Sequence, residues 1–204
     1  MLPQGMEMDA RKAHHSFRSR YGDFVSYIDL YDAFTEAENK ERFCDEYFLD
    51  VKVMKEIVSI KEQLEDIVGE MGVPVSGGGN VEDYLTAVAK GLIQFVCVRT
   101  GRGVYSSLTA ERICIHPGSV MFRDNPDYMV AGEIVRTMRM YAHSVSPVTP
   151  EILRRISLGI TEKFEKAIKK EKEKQNKQEK TGYDSQIVIG GETFEIKSLK
   201  GSKK

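Results

Sequence analysis

The chain has 204 residues, of which 41% are hydrophobic and 30% are charged, and its formal net charge is −1. This length allows one or two compact domains, and because no run of 18 apolar residues occurs, a membrane-spanning helix is not expected. The first ten residues are acidic and lack an apolar core, so a signal peptide is not expected and a cytoplasmic location is predicted.

The near-zero net charge hides a gradient along the chain. Residues 1–90 carry 10 basic and 18 acidic groups, residues 91–160 carry 8 and 5, and residues 161–204 carry 12 and 8. All eight basic residues of the middle segment are arginines, whose planar guanidinium pairs with phosphate and stacks on bases. Because the acidic first segment would repel a polyanion, nucleic acid is expected to bind to the later segments.

Apolar residues at helical spacing predict two amphipathic helices in the first 90 residues. The two stripes are Phe24, Tyr27, Ile28, Tyr31 and Phe34 in the first helix, and Met54, Ile57, Ile60, Leu64 and Ile67 in the second. A short helix is predicted between them, around residues 43–49. Gly72 and Pro74 end the second helix, residues 76–79 are typical of a linker, and Asn80 is placed to cap a helix over residues 81–90.

From residue 91 the pattern changes to short β-rich runs separated by tight turns. Strands are predicted at residues 93–99, 104–108, 112–115, 128–135 and 137–145. Residues 100–103 contain two glycines and are typical of a hairpin turn. Short strands joined by tight turns suit a small closed barrel.

Beyond the barrel, Pro147 and Pro150 precede one predicted helix. Its apolar stripe consists of Ile152, Ile156, Ile160, Phe164 and Ile168. Residues 169–180 are almost wholly Lys, Glu and Gln, which is typical of a solvated helix or a linker, and residues 186–196 are typical of a hairpin turning at Gly190-Gly191. The predicted fold class is therefore α+β, with a helical domain at 1–90, a barrel at 91–155, a charged helix or linker at 156–180 and a hairpin tail at 181–204.

Arginines and aromatic residues recur together in the predicted barrel. The outward arginines are expected to be Arg99, Arg102, Arg123, Arg136 and Arg139, and their aromatic neighbours Tyr105, Phe122, Tyr128 and Tyr141. Arginines for phosphates and aromatic rings for base faces are what sequence-tolerant binding of single strands requires. The alternative is that the aromatic rings fill the barrel and the arginines only solvate its rim.

No catalytic site, metal site or cofactor is predicted, so the chain by itself is not expected to be an enzyme. Neither a Gly-x-x-x-x-Gly-Lys-Ser/Thr loop nor an Asp-Glu-x-His motif occurs. His14 and His15 diverge by about 100° on a helix and cannot share a metal ion. Ser119 and Cys114 lack a base for nucleophilic catalysis, and the three cysteines contain no Cys-x-x-Cys pair and are expected to be buried thiols.

Residues 115–122, Ile-His-Pro-Gly-Ser-Val-Met-Phe, are followed by Pro126, a Glu-Ile-Val run at 133–135, and Thr137, Arg139 and Tyr141. This pattern resembles the signature of the oligonucleotide-binding (OB-fold) domain that ends DEAH-box RNA helicases. Residues 10–90 resemble the helical, ratchet-like region before that domain, through Asp23, Leu30, Phe34, residues 42–44 and residues 63–64. The chain departs from the family by lacking tryptophan and by having Gly118 in place of the usual serine, and residues 160–204 match no part of the helicase.

The resemblance implies an accessory C-terminal part of a helicase, without its motor, that binds single-stranded RNA or DNA non-specifically and modulates the motor. Its partners would be the motor chain or a regulatory protein. By resemblance, Thr137 and Arg139 would lie near the RNA backbone and Ser119 in the signature turn. His116, Pro117 and Phe122 would be mainly architectural. The residues predicted to bind nucleic acid are Arg99, Arg102, Ser119, Arg123, Arg136, Thr137, Arg139 and Tyr141. The alternative hypothesis is a protein-interaction module that docks through the acidic helical part and does not bind nucleic acid.

Overall fold

The computed structural model describes residues 5–75, 77–181, 186–189 and 192–195. Its first half is helical, as predicted. The helices are α1 (Glu7–His14), α2 (Asp23–Glu36), α3 (Lys40–Glu46), α4 (Val51–Glu70) and α5 (Val81–Gly91), with 3₁₀ turns at His15–Phe17 and Ile93–Phe95. Asp50 caps α4 by accepting two backbone N–H groups with its side-chain oxygen, and Asn80 caps α5 by accepting the N–H of Asp83, so the cap predicted at Asn80 is confirmed.

The second half forms the predicted five-stranded closed barrel, with the order β1-β2-β3-β5-β4. Its strands are β1 (Val96–Gly101), β2 (Val104–Ser107), β3 (Ile113–Ile115), β4 (Tyr128–Arg136) and β5 (Met140–Pro147). Neighbouring strands are antiparallel except β3 and β5, which run parallel. Two predicted strand starts are wrong by three residues, because residues 93–95 form a 3₁₀ turn and residues 137–139 form the turn that joins β4 to β5.

Two hydrophobic clusters hold the barrel and its helices. The inner one fills the barrel and includes Tyr105, Ile113 and Met129, all wholly buried. The outer one lies between the barrel wall and the helices and consists of Val25, Leu85, Ala89, Val96, Val98, Val130, Val148, Ile152, Leu153, Ile160 and Phe164. It therefore joins residues from the helical half, the barrel and the helices that follow it.

The single helix predicted after the barrel is divided in two, α6 (Pro150–Ile156) and α7 (Leu158–Thr181). Ser157 between them has an extended backbone, with φ −170° and ψ 131°, and this breaks the helical hydrogen bonding. The predicted apolar stripe still faces one side, since Ile152, Ile160 and Phe164 are all buried in the outer cluster. Pro150 occupies the first turn of α6, and the Thr149 hydroxyl accepts the N–H of Ile152.

The start of α2 is fixed to the barrel by the Asp23 carboxylate. This group is buried and accepts the backbone N–H of Val120 at 2.9 Å and of Val145 at 2.6 Å. Gly22, just before it, has φ +91°, and a Cβ there would lie 2.5 Å from the Ser146 Cα. The contact between helix and barrel therefore requires a glycine followed by an acceptor of two N–H groups.

The tail contains a two-stranded antiparallel sheet, β6 (Gln186–Ile189) and β7 (Glu192–Glu195). The Gly-Gly turn predicted between these strands lies outside the described residues, as does Ser76 of the predicted linker. Among the helices in the described ranges, none combines the length and the apolar character needed to cross a membrane.

Candidate nucleic-acid interface

A groove of about 760 Å³ opens at one end of the barrel, beside the turn that joins β4 to β5. Its lining consists of Val104, Glu111, Arg112, Cys114, Arg136, Thr137, Met138, Arg139 and Met140. The three arginines are exposed, and Met138 at the tip of the turn is fully exposed. The groove thus brings together three of the residues predicted to bind nucleic acid, Arg136, Thr137 and Arg139.

The conformation of this turn is set by Thr137. Its N–H donates to the Arg139 carbonyl at 2.8 Å, and its hydroxyl donates to the same carbonyl at 3.2 Å. The turn is therefore closed on itself, while the flanking arginines remain exposed. Guanidinium groups held at both sides of a closed turn can pair with phosphate oxygens bidentately.

Arg112 is the residue of this groove that the sequence reasoning missed. It was predicted as the first residue of a strand, but β3 begins at Ile113 and Arg112 precedes it with φ +58°. This left-handed backbone conformation is uncommon for a residue other than glycine, and no local sequence signal indicates it. The residue lies in the loop between β2 and β3, which places it beside the β4–β5 turn in space.

Arg99, Arg102 and Arg123 are also exposed, as predicted, but none of them lines the groove. The Arg99 guanidinium forms an ion pair with Asp127. Arg102 lies in the turn between β1 and β2, which approaches Asn125 in the loop that also carries Arg123. These three residues thus lie around the β1–β2 turn and the β3–β4 loop and do not line the groove.

The four aromatic residues have different positions. Tyr105 is wholly buried in the barrel and its hydroxyl donates to the Pro126 carbonyl at 3.0 Å, so this ring fills the core. Burial raises the pKa of the Tyr105 hydroxyl. Tyr128 stacks on Phe164 of α7, with ring centroids 6.4 Å apart. Phe122 is exposed and Tyr141 is half-buried on the outer surface of β5. Of the four, only Phe122 and Tyr141 are therefore placed to meet a base.

Three rings follow one another on the outer surface of the barrel where β3 and β5 pair. The His116 ring stacks on His143 with centroids 4.1 Å apart, and it meets the edge of Tyr141 at 5.8 Å. The Gly118 N–H donates to Nδ1 of His116 at 3.1 Å, so this nitrogen acts as an acceptor. Burial, followed by the charge of His143, lowers the pKa of His116. The hydrogen bond from its own turn and the lowered pKa thus both disfavour the protonated imidazole of His116.

Ser119 lies in the signature turn, defined here as residues 117–120. Its N–H donates to the His116 carbonyl at 3.0 Å and its hydroxyl accepts the Met121 N–H at 3.1 Å. The turn borders two smaller cavities, and Ser119 lines both of them. Ser119 is therefore not in the groove at the β4–β5 turn, and Tyr141 and His116 lie between the two places.

Two of the three cysteines are shielded from solvent. Cys44 and Cys97 are buried, and burial raises the pKa of the Cys97 thiol to about 12, so it stays protonated. Cys114 is partly exposed in the groove, so the prediction that all three cysteines are buried is wrong for this one. In the described part of the chain, no three His, Cys, Asp or Glu residues are grouped so as to hold a metal ion.

Comparison with known proteins identifies the barrel. A family model described as the oligonucleotide/oligosaccharide-binding (OB) fold matches residues 85–158, which include the later part of α5, the five strands and α6. The ATP-dependent RNA helicase HrpA of Borreliella burgdorferi is 33% identical over 206 residues, covering 100% of this chain and 24% of the helicase. Residues 160–204 were expected to match no part of a helicase, and this alignment corrects that expectation because it spans them.

More distant relatives give the same result. ATP-dependent RNA helicase DHX33 of Homo sapiens is 26% identical over 153 residues, and HrpA of Escherichia coli is 25% identical over 161 residues. They cover 74% and 73% of this chain, and the chain covers 22% and 12% of them. The chain thus spans about a quarter or less of the length of these relatives, and it matches their C-terminal regions and not their motor domains. The chain is homologous to the C-terminal regions of DEAH-box RNA helicases and carries their OB-fold domain.

Proposed function

We propose that this chain binds single-stranded RNA without sequence preference and thereby modulates a helicase motor, while contributing no ATPase site of its own. The observation that carries the proposal is the groove at the β4–β5 turn, where Arg112, Arg136 and Arg139 surround an open cavity. Arginines that track phosphates are the main requirement for binding single strands without sequence preference. The RNA helicases among its relatives support RNA over DNA as the ligand.

The binding test is fluorescence anisotropy of a labelled single-stranded RNA 12-mer at several salt concentrations. Each phosphate contact contributes about 0.7 to the salt slope on single strands, which is roughly fivefold in affinity at 0.1 M salt. Arg136→Ala/Arg139→Ala is therefore expected to weaken binding on the order of 25-fold and to reduce the slope by about 1.4.

The matched control is Lys90→Ala/Arg154→Ala, which removes two exposed positive charges from helices outside the groove. It is expected to change RNA affinity little. Equal losses in the two double variants would mean that only net charge matters and would contradict binding in the groove. Tighter binding of a DNA 12-mer than of the RNA 12-mer would contradict RNA as the ligand.

The modulation part of the proposal needs a separate measurement. The chain is added to the purified motor domains of a DEAH-box helicase, and the rate of RNA-stimulated ATP hydrolysis is followed. We expect the wild-type chain to change the rate of ATP hydrolysis. With Arg136→Ala/Arg139→Ala, the rate should return toward the value of the motor domains alone. Unchanged hydrolysis with no detectable complex would reject modulation. Multiple-turnover ATP hydrolysis by the chain alone would reject its role as an accessory without an ATPase site.

A second candidate function, docking of a partner protein, is favoured by the surface of α4. Met54 of this helix is buried and Val51 and Val58 pack around it. The opposite side exposes a row of large apolar residues: Val53, Ile57, Ile60, Leu64, Ile67 and Met71. Their spacing alternates between four and three residues, which is the pattern of a helix that pairs with another helix. The stripe predicted as one face is therefore divided between a buried and an exposed side.

The charges beside this row indicate what kind of helix would cover it. Residues 65–70 contain three acidic residues and no basic one. An amphipathic helix of the motor protein with basic residues flanking its apolar stripe fits this surface by charge complementarity.

Ile60→Ser/Leu64→Ser is expected to abolish binding to purified motor domains, measured by calorimetry. Glu62→Ser, on the opposite side of the helix, serves as the control. Concentration-dependent self-association of the wild type that the double variant abolishes would instead identify a second copy as the occupant.

A further inference from the structure

A cavity of about 260 Å³ lies between the first helical segment and the signature turn, away from the groove. One wall consists of the side chains of Arg11, His14, His15 and Arg18, and the other consists of Pro117, Gly118, Ser119 and Val120. No acidic residue lines it among the described residues. It is smaller than the 300–1,000 Å³ typical of pockets for small molecules, and its basic lining suits a single anionic group.

Two of the four basic side chains are already used by the structure. Nε2 of His14 lies 2.7 Å from the Tyr47 carbonyl, and the Arg18 guanidinium donates to the Val120 carbonyl. Arg18 therefore fixes the signature turn against the helical segment. Arg11 and His15 are exposed, and within the described part of the chain neither side chain has a hydrogen bond or an ion pair. They are four residues apart, so they lie on the same side of this helical segment.

The surface between this cavity and the groove carries rings rather than charges of one sign. Cys114 and Tyr141 are paired in the sheet, and His116 stacks on His143 one step further along. From Arg139 at the end of the turn to His143 of β5, four residue steps of about 3.4 Å span roughly 14 Å. Two acidic residues line the cavity beside the rings: Glu133, which pairs with His143 across the strands, and the buried Asp23. Cations at both ends and rings between them form the arrangement that binds single strands.

We infer that Arg11 and His15, which face the backbone of Gly118 and Ser119, bind a phosphodiester near one end of an RNA strand. The other end of the same strand lies in the groove. The inference rests on the proposed RNA binding and extends it to the helical segment. Gly118 suits this position because a Cβ there would lie 3.1 Å from Nδ1 of His116 and would narrow the passage past the turn. A strand of about four nucleotides occupies the groove alone, whereas a longer one reaches both places.

The test compares a labelled RNA 4-mer and a 12-mer with the Arg11→Gln/His15→Gln variant. The variant is expected to weaken 12-mer binding roughly fivefold at 0.1 M salt and to reduce the salt slope by about 0.7, since one phosphate contact is lost. Its affinity for the 4-mer should equal that of the wild type. Lys12→Gln is the control, because Lys12 is the exposed neighbour of Arg11 on the same helix and does not line the cavity.

Nuclear magnetic resonance with inorganic phosphate separates this inference from the proposed function. Phosphate should shift the amide signals of Gly118 and Ser119 in the wild type and not in the variant. Unchanged 12-mer affinity in the variant, or equal losses in the variant and in Lys12→Gln, would overturn the inference while leaving the groove in place. The wild type could instead show amide shifts with phosphate but no binding of the 12-mer. That result would reject both the proposed RNA binding and the inferred strand between the groove and Arg11/His15, and it would leave only an anion site.

Discussion

At the scale of single residues, one buried carboxylate organises the centre of the molecule. Both oxygens of Asp23 accept backbone N–H groups, one from the signature turn and one from β5. The sequence places Asp23 in a helical signature, but the two acceptor bonds depend on contacts between residues about one hundred positions apart, which no local pattern indicates. A single side chain thus fixes the helical segment, the signature turn and the barrel wall relative to one another.

Asp23→Asn is expected to lower the free energy of unfolding by about 1–3 kcal/mol. The asparagine amide has one oxygen, so it can accept only one of the two backbone N–H groups. Its NH₂ group is itself a donor and leaves the second backbone N–H without an acceptor. Denaturant unfolding followed by circular dichroism measures the change, with the exposed Asp29→Asn on the same helix as control. A loss no greater than that of the control would show that the two bonds contribute little to stability.

His116 predicts a dependence of stability on pH. Burial and the charge of His143 lower the pKa of His116 in the folded state. As the pH falls, the unfolded chain takes up a proton at His116 first, near pH 6.5. The contribution of His116 to stability is therefore fully present above this pH and is lost as the pH decreases below it. Asp23, Glu133 and His143 line the same cavity as His116. His116→Asn keeps an acceptor for the Gly118 N–H but has no proton to gain.

The measurement is the urea midpoint of unfolding at pH 7.5 and at pH 5.5. The wild type should lose more stability between these two conditions than His116→Asn does. The exposed His15→Asn provides the comparison for loss of a surface imidazole. If wild type and His116→Asn show the same difference between the two pH values, the stacked imidazole pair is not the source of acid sensitivity.

At the scale of elements, the junction between α2 and β5 depends on Gly22. A side chain there would meet the Ser146 Cα and the Val145 carbonyl at 2.5 Å and would also have to adopt φ +91°. Gly22→Ala is expected to destabilise the fold by about 3–5 kcal/mol, combining backbone strain with overpacking. Gly78→Ala is a matched control, because Gly78 has φ +86° but no atom within 4 Å of the added Cβ.

Thermal unfolding of both variants separates the two contributions. Gly78→Ala should show only the cost of the backbone conformation, about 1–3 kcal/mol. Equal losses in Gly22→Ala and Gly78→Ala would mean that the barrel shifts to accommodate the methyl group and that the close approach is not required.

The elements show what a sequence can and cannot predict. The five strands and the closed barrel were predictable from β-rich runs of suitable length and from turn glycines. The observed barrel confirms the fold class predicted from these local signals. The break at Ser157 and the left-handed Arg112 have no such signal, because both depend on how neighbouring elements pack. The arginines were predicted to face outward and do so, but their division between the groove and the β1–β2 turn depends on barrel closure. Which of them bind nucleic acid stays a prediction.

At the scale of the whole molecule, the outer hydrophobic cluster joins segments that were predicted as separate domains. It contains Val25 and Leu85 from the helical half, Val96 from the barrel and Phe164 from α7. Segments that share a buried cluster lose their packing together when any part of it opens. Residues 5–75 and 77–168 are therefore predicted to unfold in one transition.

Phe164→Ala tests this prediction, because the ring is buried in the shared cluster and stacks on Tyr128 of the barrel. The loss is expected to be about 3–5 kcal/mol. It should lower the melting temperatures of the helical signal in the far ultraviolet and the tyrosine signal in the near ultraviolet by the same amount. Lys163→Ala, exposed on the same helix, should leave both unchanged. Two transitions that separate in the variant would show that the predicted domains unfold independently.

The order of strands in the barrel has a consequence for how the chain is synthesised. β5 is the last of the five strands to leave the ribosome, yet it lies between β3 and β4. Until residues 140–147 have emerged, both of those strands present unpaired backbone edges, which other nascent chains can extend. A message truncated before this point would therefore yield an aggregation-prone product rather than a smaller binding domain.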